Sequence, residues 1–173
     1  MHMSFLLKIA PLRRRWLSLR KPIVVNVNTR QGIYMNKLAK FVRTPMFEGK
    51  YDANEDDAVE AYHLLNKYVF DNVLNCPKFN IKRTRGYWGM CDGRMDMSDE
   101  RFFVEEIILS KKFTHKAMFV ATLAHEMVHQ WQWEVLSPQR YEEGKTPIMS
   151  HGPSFYAWRK PLHKYLIPLT RAY

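Results

Sequence analysis

The chain has 173 residues, 46% of them hydrophobic and 14% aromatic, enough for one domain with a real core and short for two. No apolar run reaches the roughly 18 residues of a membrane span, so no membrane partner is expected. Two cysteines, Cys76 and Cys91, are too few for a disulfide framework or a four-cysteine zinc ribbon, and reduced thiols suit a cytosolic compartment.

The net charge of +10 is placed unevenly. Ten basic residues and no acidic one precede Glu48, and the rest of the chain holds 17 of each sign. We therefore divide the sequence into a basic N-terminal arm, residues 1–47, and a folded domain, residues 48–173. The arm includes Arg13, Arg14 and Arg15 and a possible short strand at residues 23–27. Its charge favours contact with nucleic acid, since Lys and Arg release counterions from phosphates. A transit peptide and a solvated extension wrapping the domain are the other two readings.

Residues 54–75 predict a helix. Asn54 is its cap, Glu55, Asp56 and Asp57 suit the helix dipole, and Val59, Tyr62, Leu65, Val69 and Val73 recur at helical spacing. Between residues 78 and 110 the texture changes to short β-like runs, read as three strands of a small antiparallel sheet. The fold class is α+β.

Residues 114–136 predict the central helix, with Thr114 as cap and Pro138 barring continuation. This helix carries His125-Glu126-Met127-Val128-His129. Residues four apart share a helix face, so His125 and His129 can hold one metal ion. Glu126 lies about 100° around the helix, in reach of a water on that ion without being a ligand. This is the H-E-x-x-H arrangement of zinc peptidases. Val120, Leu123, Ala124, Met127 and Trp131 form the opposite, core-facing side, while Met118, Thr122 and Gln132 share the histidine face.

A catalytic zinc commonly has three protein ligands and one open position. The metzincin continuation would need a glycine at Gln132 and a histidine at Val135, which excludes that class. The third ligand is then His151, which precedes a Gly-Pro turn into a further helix, or else Glu142 or Glu143 in the loop expected at residues 137–150. In the last helical stretch, to about residue 166, Ser154 is the expected cap and Pro161 the expected kink. Trp88, Trp133 and Trp158 either belong to the core or line a cleft where bases could stack.

Several stretches together resemble the SprT-like metalloprotease family, which includes the DNA-dependent protease Spartan. They are Leu65-Asn66-Lys67-Tyr68-Val69-Phe70, Arg85-Gly86-Tyr87-Trp88-Gly89, Glu106-Ile107-Ile108-Leu109-Ser110, residues 122–130, and His151-Gly152-Pro153-Ser154-Phe155. The resemblance covers about residues 54–166. It implies a zincin-like domain, one zinc ion on His125, His129 and His151, and Glu126 as general base. The zinc ribbon of many members is missing, so the chain is more similar to single-domain forms of phage and bacterial genomes. The implied activity is a zinc endopeptidase acting on protein, with nucleic acid met through the arm. The alternative is a nucleic-acid-binding or virion-associated protein that keeps the fold with little proteolysis.

Overall fold

The structure, a computed structural model, describes residues 37–43 and 49–171. The chain divides into two units, Met1–Tyr34 and Met35–Tyr173. The strand expected at residues 23–27 and the Arg13 to Arg15 cluster lie outside the described residues.

The described residues form a mixed α+β fold. In chain order the elements are α1 (Lys37–Arg43), β1 (Tyr51–Asp52), α2 (Glu55–Tyr68), β2 (Lys78–Lys82), β3 (Gly89–Asp96), β4 (Arg101–Ser110) and β5 (Lys112–Phe113). Then follow α3 (Lys116–Trp131), a π-helical turn (Gln132–Leu136), α4 (Ser137–Glu142), α5 (Pro153–Tyr156) and α6 (Arg159–His163). No described helix is long and apolar enough to cross a membrane.

Although α1 falls within the basic first 47 residues, its Leu38, Phe41 and Val42 are buried in the main core cluster. Lys37 and Lys40 stay exposed. The ammonium of Lys116 lies 3.7 Å from the Phe41 ring centroid, a cation–π contact that pins α1 at the start of α3.

Asn54 caps α2 as expected, accepting from the Asp57 backbone N–H. The helix stops at Tyr68, earlier than its apolar spacing suggested. Asp71 and Asn72 both adopt left-handed backbone, φ 56°, which short polar side chains tolerate. The Asn66 amide then holds the returning chain through Leu74 N–H and C=O. Val69 is buried accordingly, whereas Val73 is turned outward.

The three-stranded sheet has the order β2-β4-β3. It is mixed rather than antiparallel as expected: β3 pairs antiparallel with β4, but β2 pairs with β4 in parallel. Ile107, Ile108 and Leu109 are successive residues and all buried, so both faces of β4 are covered and it takes the centre. The β3–β4 hairpin uses one edge of β4, leaving β2 the other edge, in the same direction. A register shift after Asp92 leaves Glu105 without a partner, a bulge in β4. β1 and β5 form a separate short antiparallel ladder.

Two further boundaries differ from expectation. His115, not Thr114, caps α3, its Nδ1 accepting from Met118 N–H. Pro138 does not end the helical run: the π turn relays it into α4, where Pro138 occupies the first turn and its missing N–H costs nothing. The final stretch is split at Trp158, and Pro161 lies inside α6. Gly152 caps α5, while Ser154 serves the site described next.

Candidate metal centre

Helix α3 is buried along nearly its whole length, with Val120, Leu123, Ala124 and Met127 fully enclosed. That packing fixes its rotation and presents His125 and His129 together. His151 arrives from the turn before α5, its own ring exposed. His151 Nε2 lies 3.0 Å from His125 Nε2 and 3.1 Å from His129 Nε2. Bonds of about 2.0–2.1 Å from a tetrahedral zinc would separate such nitrogens by roughly 3.3 Å, so the spacing fits. Among the described residues these three histidines form the one cluster able to hold a metal ion. Glu142 and Glu143, the alternative third ligands, are exposed, and Glu143 pairs with Lys145 at 2.6 Å.

The outer nitrogens explain the ring orientations. His125 Nδ1 lies 3.0 Å from the Thr170 carbonyl, and His129 Nδ1 lies 3.1 Å from Gln132 Oε1. A carbonyl oxygen only accepts, so each Nδ1 donates and each Nε2 keeps its lone pair. Gln132 is fully buried. Its Oε1 also accepts from Ser150 N–H at 3.0 Å, and its Nε2 donates to Ser150 O and Ser154 Oγ at 2.9 and 2.8 Å. One amide thus orients His129 and anchors the turn that delivers His151. Phe155 floors the cluster, its ring centroid 4.7–4.9 Å from those of the three imidazoles.

Burial holds His125 and His129 at pKa values of about 4, with the neighbouring imidazoles pushing the same way. His151 is lowered too, chiefly by desolvation and then by the charge of Arg171. Neutral imidazole is the form that binds a cation. Burial pushes Glu126 up to about 8, opposed by a hydrogen bond from the Cys91 backbone N–H. Glu126 is therefore a buried carboxyl beside a nitrogen donor set, a setting where proton transfer near neutral pH is feasible.

A second polar network braces the back of the helix. Glu134, in the π turn, accepts from Val104 N–H, Gln130 Nε2 and the Asn75 backbone and side chain at 2.9–3.3 Å. It ties α3 to β4 beside the bulge and to the chain after α2.

The four described tryptophans are partly buried and pack against the core. Trp88 packs on Phe113, Trp133 on Phe102, and Trp158 on Phe70 and Trp131. Tyr141 rests on Phe102, Tyr156 lies under the Arg159 guanidinium, and Arg159 donates to the Leu169 carbonyl. Cys76 and Cys91 are free thiols. Sequence reasoning gave no role in this site to Gln132, Thr170, Arg171 or Gly89. Gln132 carried a signal in its place on the histidine face three residues after His129, and Gly89 in the stretch that resembles the family.

No curated protein and no solved structure gives a significant match to the chain. The SprT-like family model matches residues 58–171, most of the chain and all of the site just described. On that match, the chain belongs to the SprT-like family.

Proposed function

We propose that this chain is a zinc-dependent endopeptidase with a zincin-like active site. The observation that carries the reading is His151 Nε2 lying 3.0 and 3.1 Å from the Nε2 atoms of His125 and His129, with the buried Glu126 next to His125 on α3. When bound, zinc supplies Lewis acidity, lowering the pKa of a water and polarising the peptide carbonyl. His125, His129 and His151 hold it through Nε2. Glu126 takes the proton of the attacking water and passes it to the leaving amine nitrogen. Arg171, whose charge reaches His151, adds positive potential on the side of the exposed ligand.

An extended substrate can add itself to an exposed edge of a sheet, and the central strand offers no such edge. That strand, β4, is paired on both sides, so the open sheet edge beside α3 belongs to β3. An extended protein segment laid there meets Glu126 close by, because Gly89 at the start of β3 lies directly against that carboxylate.

Nucleic acid is the second partner in this reading, supported by the ten basic and no acidic residues before Glu48. The test is cleavage of an unstructured protein with and without single-stranded DNA, using Glu126→Gln as control. Cleavage that needs Glu126 supports the peptidase, and acceleration by DNA supports the nucleic-acid partner. Equal cleavage by both proteins would overturn the peptidase assignment.

A further inference from the structure

Gly89 opens β3, opposite Leu109 of β4. Its backbone is not in the left-handed region, so conformation does not demand glycine there. Space does. A Cβ on Gly89 would lie 2.7 Å from Glu126 Oε1, 2.7 Å from Thr122 Cγ2 and 2.9 Å from Glu126 Cγ, distances that real Cβ atoms do not tolerate. The start of β3 therefore meets Glu126 closely where Gly89 has no side chain, and the Cys91 backbone N–H two residues on favours the charged form of that carboxylate.

Resting on the peptidase reading, we propose that Gly89 is a positioning residue for Glu126: its bare Cα leaves the seat in which the carboxylate is fixed for proton transfer. Glu126 has no side-chain hydrogen-bond partner shown beyond this strand, and it stands on a helix locked by packing. Its terminal torsions are then decided by what the strand admits. A methyl group at Gly89 displaces the carboxylate from its place against the strand. Thr122 cannot yield in the same way, because a β-branched side chain in a helix has few rotamers.

The test uses Thr122→Ser as the reference protein, which removes the Cγ2 contact and leaves Glu126 Oε1 and Cγ as the closest approaches. Adding Gly89→Ala to it should lower kcat by about tenfold to a hundredfold with KM within about twofold, since misplacing a catalytic group by an ångström costs on that order. Zinc content should stay at one per chain. In a Glu126→Asp background, which loses the Oε1 contact and keeps only the longer one at Cγ, Gly89→Ala should cost clearly less than in the reference. An equal fold-loss in both backgrounds, or loss of zinc, would show that Gly89 serves only the sheet and would overturn the proposal.

A second measurement does not depend on activity. Gly89→Ala should lower the melting temperature of the metal-free reference by at least about 4 °C, and Glu126→Ala should abolish most of that drop. An equal drop with and without the Glu126 side chain would overturn the seat by itself. If the reference cleaves nothing, the peptidase reading fails, and this melting cycle still decides the role of Gly89.

Discussion

Replacing Gln132 by leucine removes the one side chain that serves two of the three histidines. Four contacts go at once: Oε1 to His129 Nδ1 and to Ser150 N–H, and Nε2 to Ser150 O and Ser154 Oγ. Leucine fills similar space, so the helix should keep its packing. His129 loses the acceptor that fixes its tautomer, and the turn carrying His151 loses its anchor. Loss of such an orienting partner typically lowers metal affinity by about 10–100-fold, equivalent to roughly 1.4–2.7 kcal/mol. Ser150 is exposed and Ser154 half-buried, so water replaces part of what they lose. The metal-free protein should then fall by about 1–3 kcal/mol, short of the 5–15 kcal/mol that holds a domain folded. Zinc affinity is measured by competition with a chromogenic chelator, and folding by melting of the metal-free form. Gln132→Glu keeps the acceptor for His129 but not the two donations to the turn, so its zinc affinity should fall between those of wild type and Gln132→Leu. Zinc held by Gln132→Leu as tightly as by wild type would refute the reasoning.

His151→Ala removes an exposed ligand that rests on the Phe155 ring, so zinc binding should collapse while metal-free melting changes little; retention of zinc with loss on Glu142→Ala or Glu143→Ala would move the third ligand. Metal-free stability should peak near pH 6.5. His125 and His129 have folded pKa values of about 4 against an ordinary 6.5, so the unfolded chain binds more protons there and stability rises with pH through that window. Glu126, raised to about 8 from 4.5, acts with the opposite sign, and stability falls from pH 6.5 to 8 once the two histidines no longer outweigh it. A melting temperature that climbs steadily from pH 4 to 9 would contradict this balance. For the arm, residues 1–36 are the segment to delete, since α1 supplies Leu38, Phe41 and Val42 to the core. The deletion removes seven basic residues, and DNA affinity should drop with a flatter salt dependence; unchanged affinity and slope would place any nucleic-acid contact elsewhere.

What the sequence made legible was whatever has a period or a fixed spacing. His125 and His129 sit four apart on one helix, and the apolar residues behind them have helical spacing, so the metal-binding face could be derived before any fold. His151 was reachable only by position before a turn, and the glutamates stayed open because spacing along a chain does not show where a loop returns. The parallel pairing of β2 was hidden for a related reason. Strand order follows from which strand needs both faces covered, and the buried Ile107-Ile108-Leu109 run stated that need without stating its neighbours. Pro138 misled because a proline ends a helix in the interior but is at ease in a first turn, and the π turn that converts one into the other has no simple pattern. Thr170 acts through a backbone carbonyl and Gly89 through an absent side chain. Neither contribution is encoded in residue chemistry, so only three-dimensional proximity reveals it.

The central claim is that one zinc ion on His125, His129 and His151 works with Glu126 to hydrolyse peptide bonds. The direct measurement strips the protein of metal, titrates zinc back, and follows cleavage of a protein substrate in wild type and Glu126→Gln side by side. Wild-type activity should rise linearly and saturate at one zinc per chain, while Glu126→Gln should bind the same zinc and cleave about 10²–10⁴-fold more slowly. Cleavage that ignores the zinc titration, or a Glu126→Gln protein as fast as wild type, would contradict it.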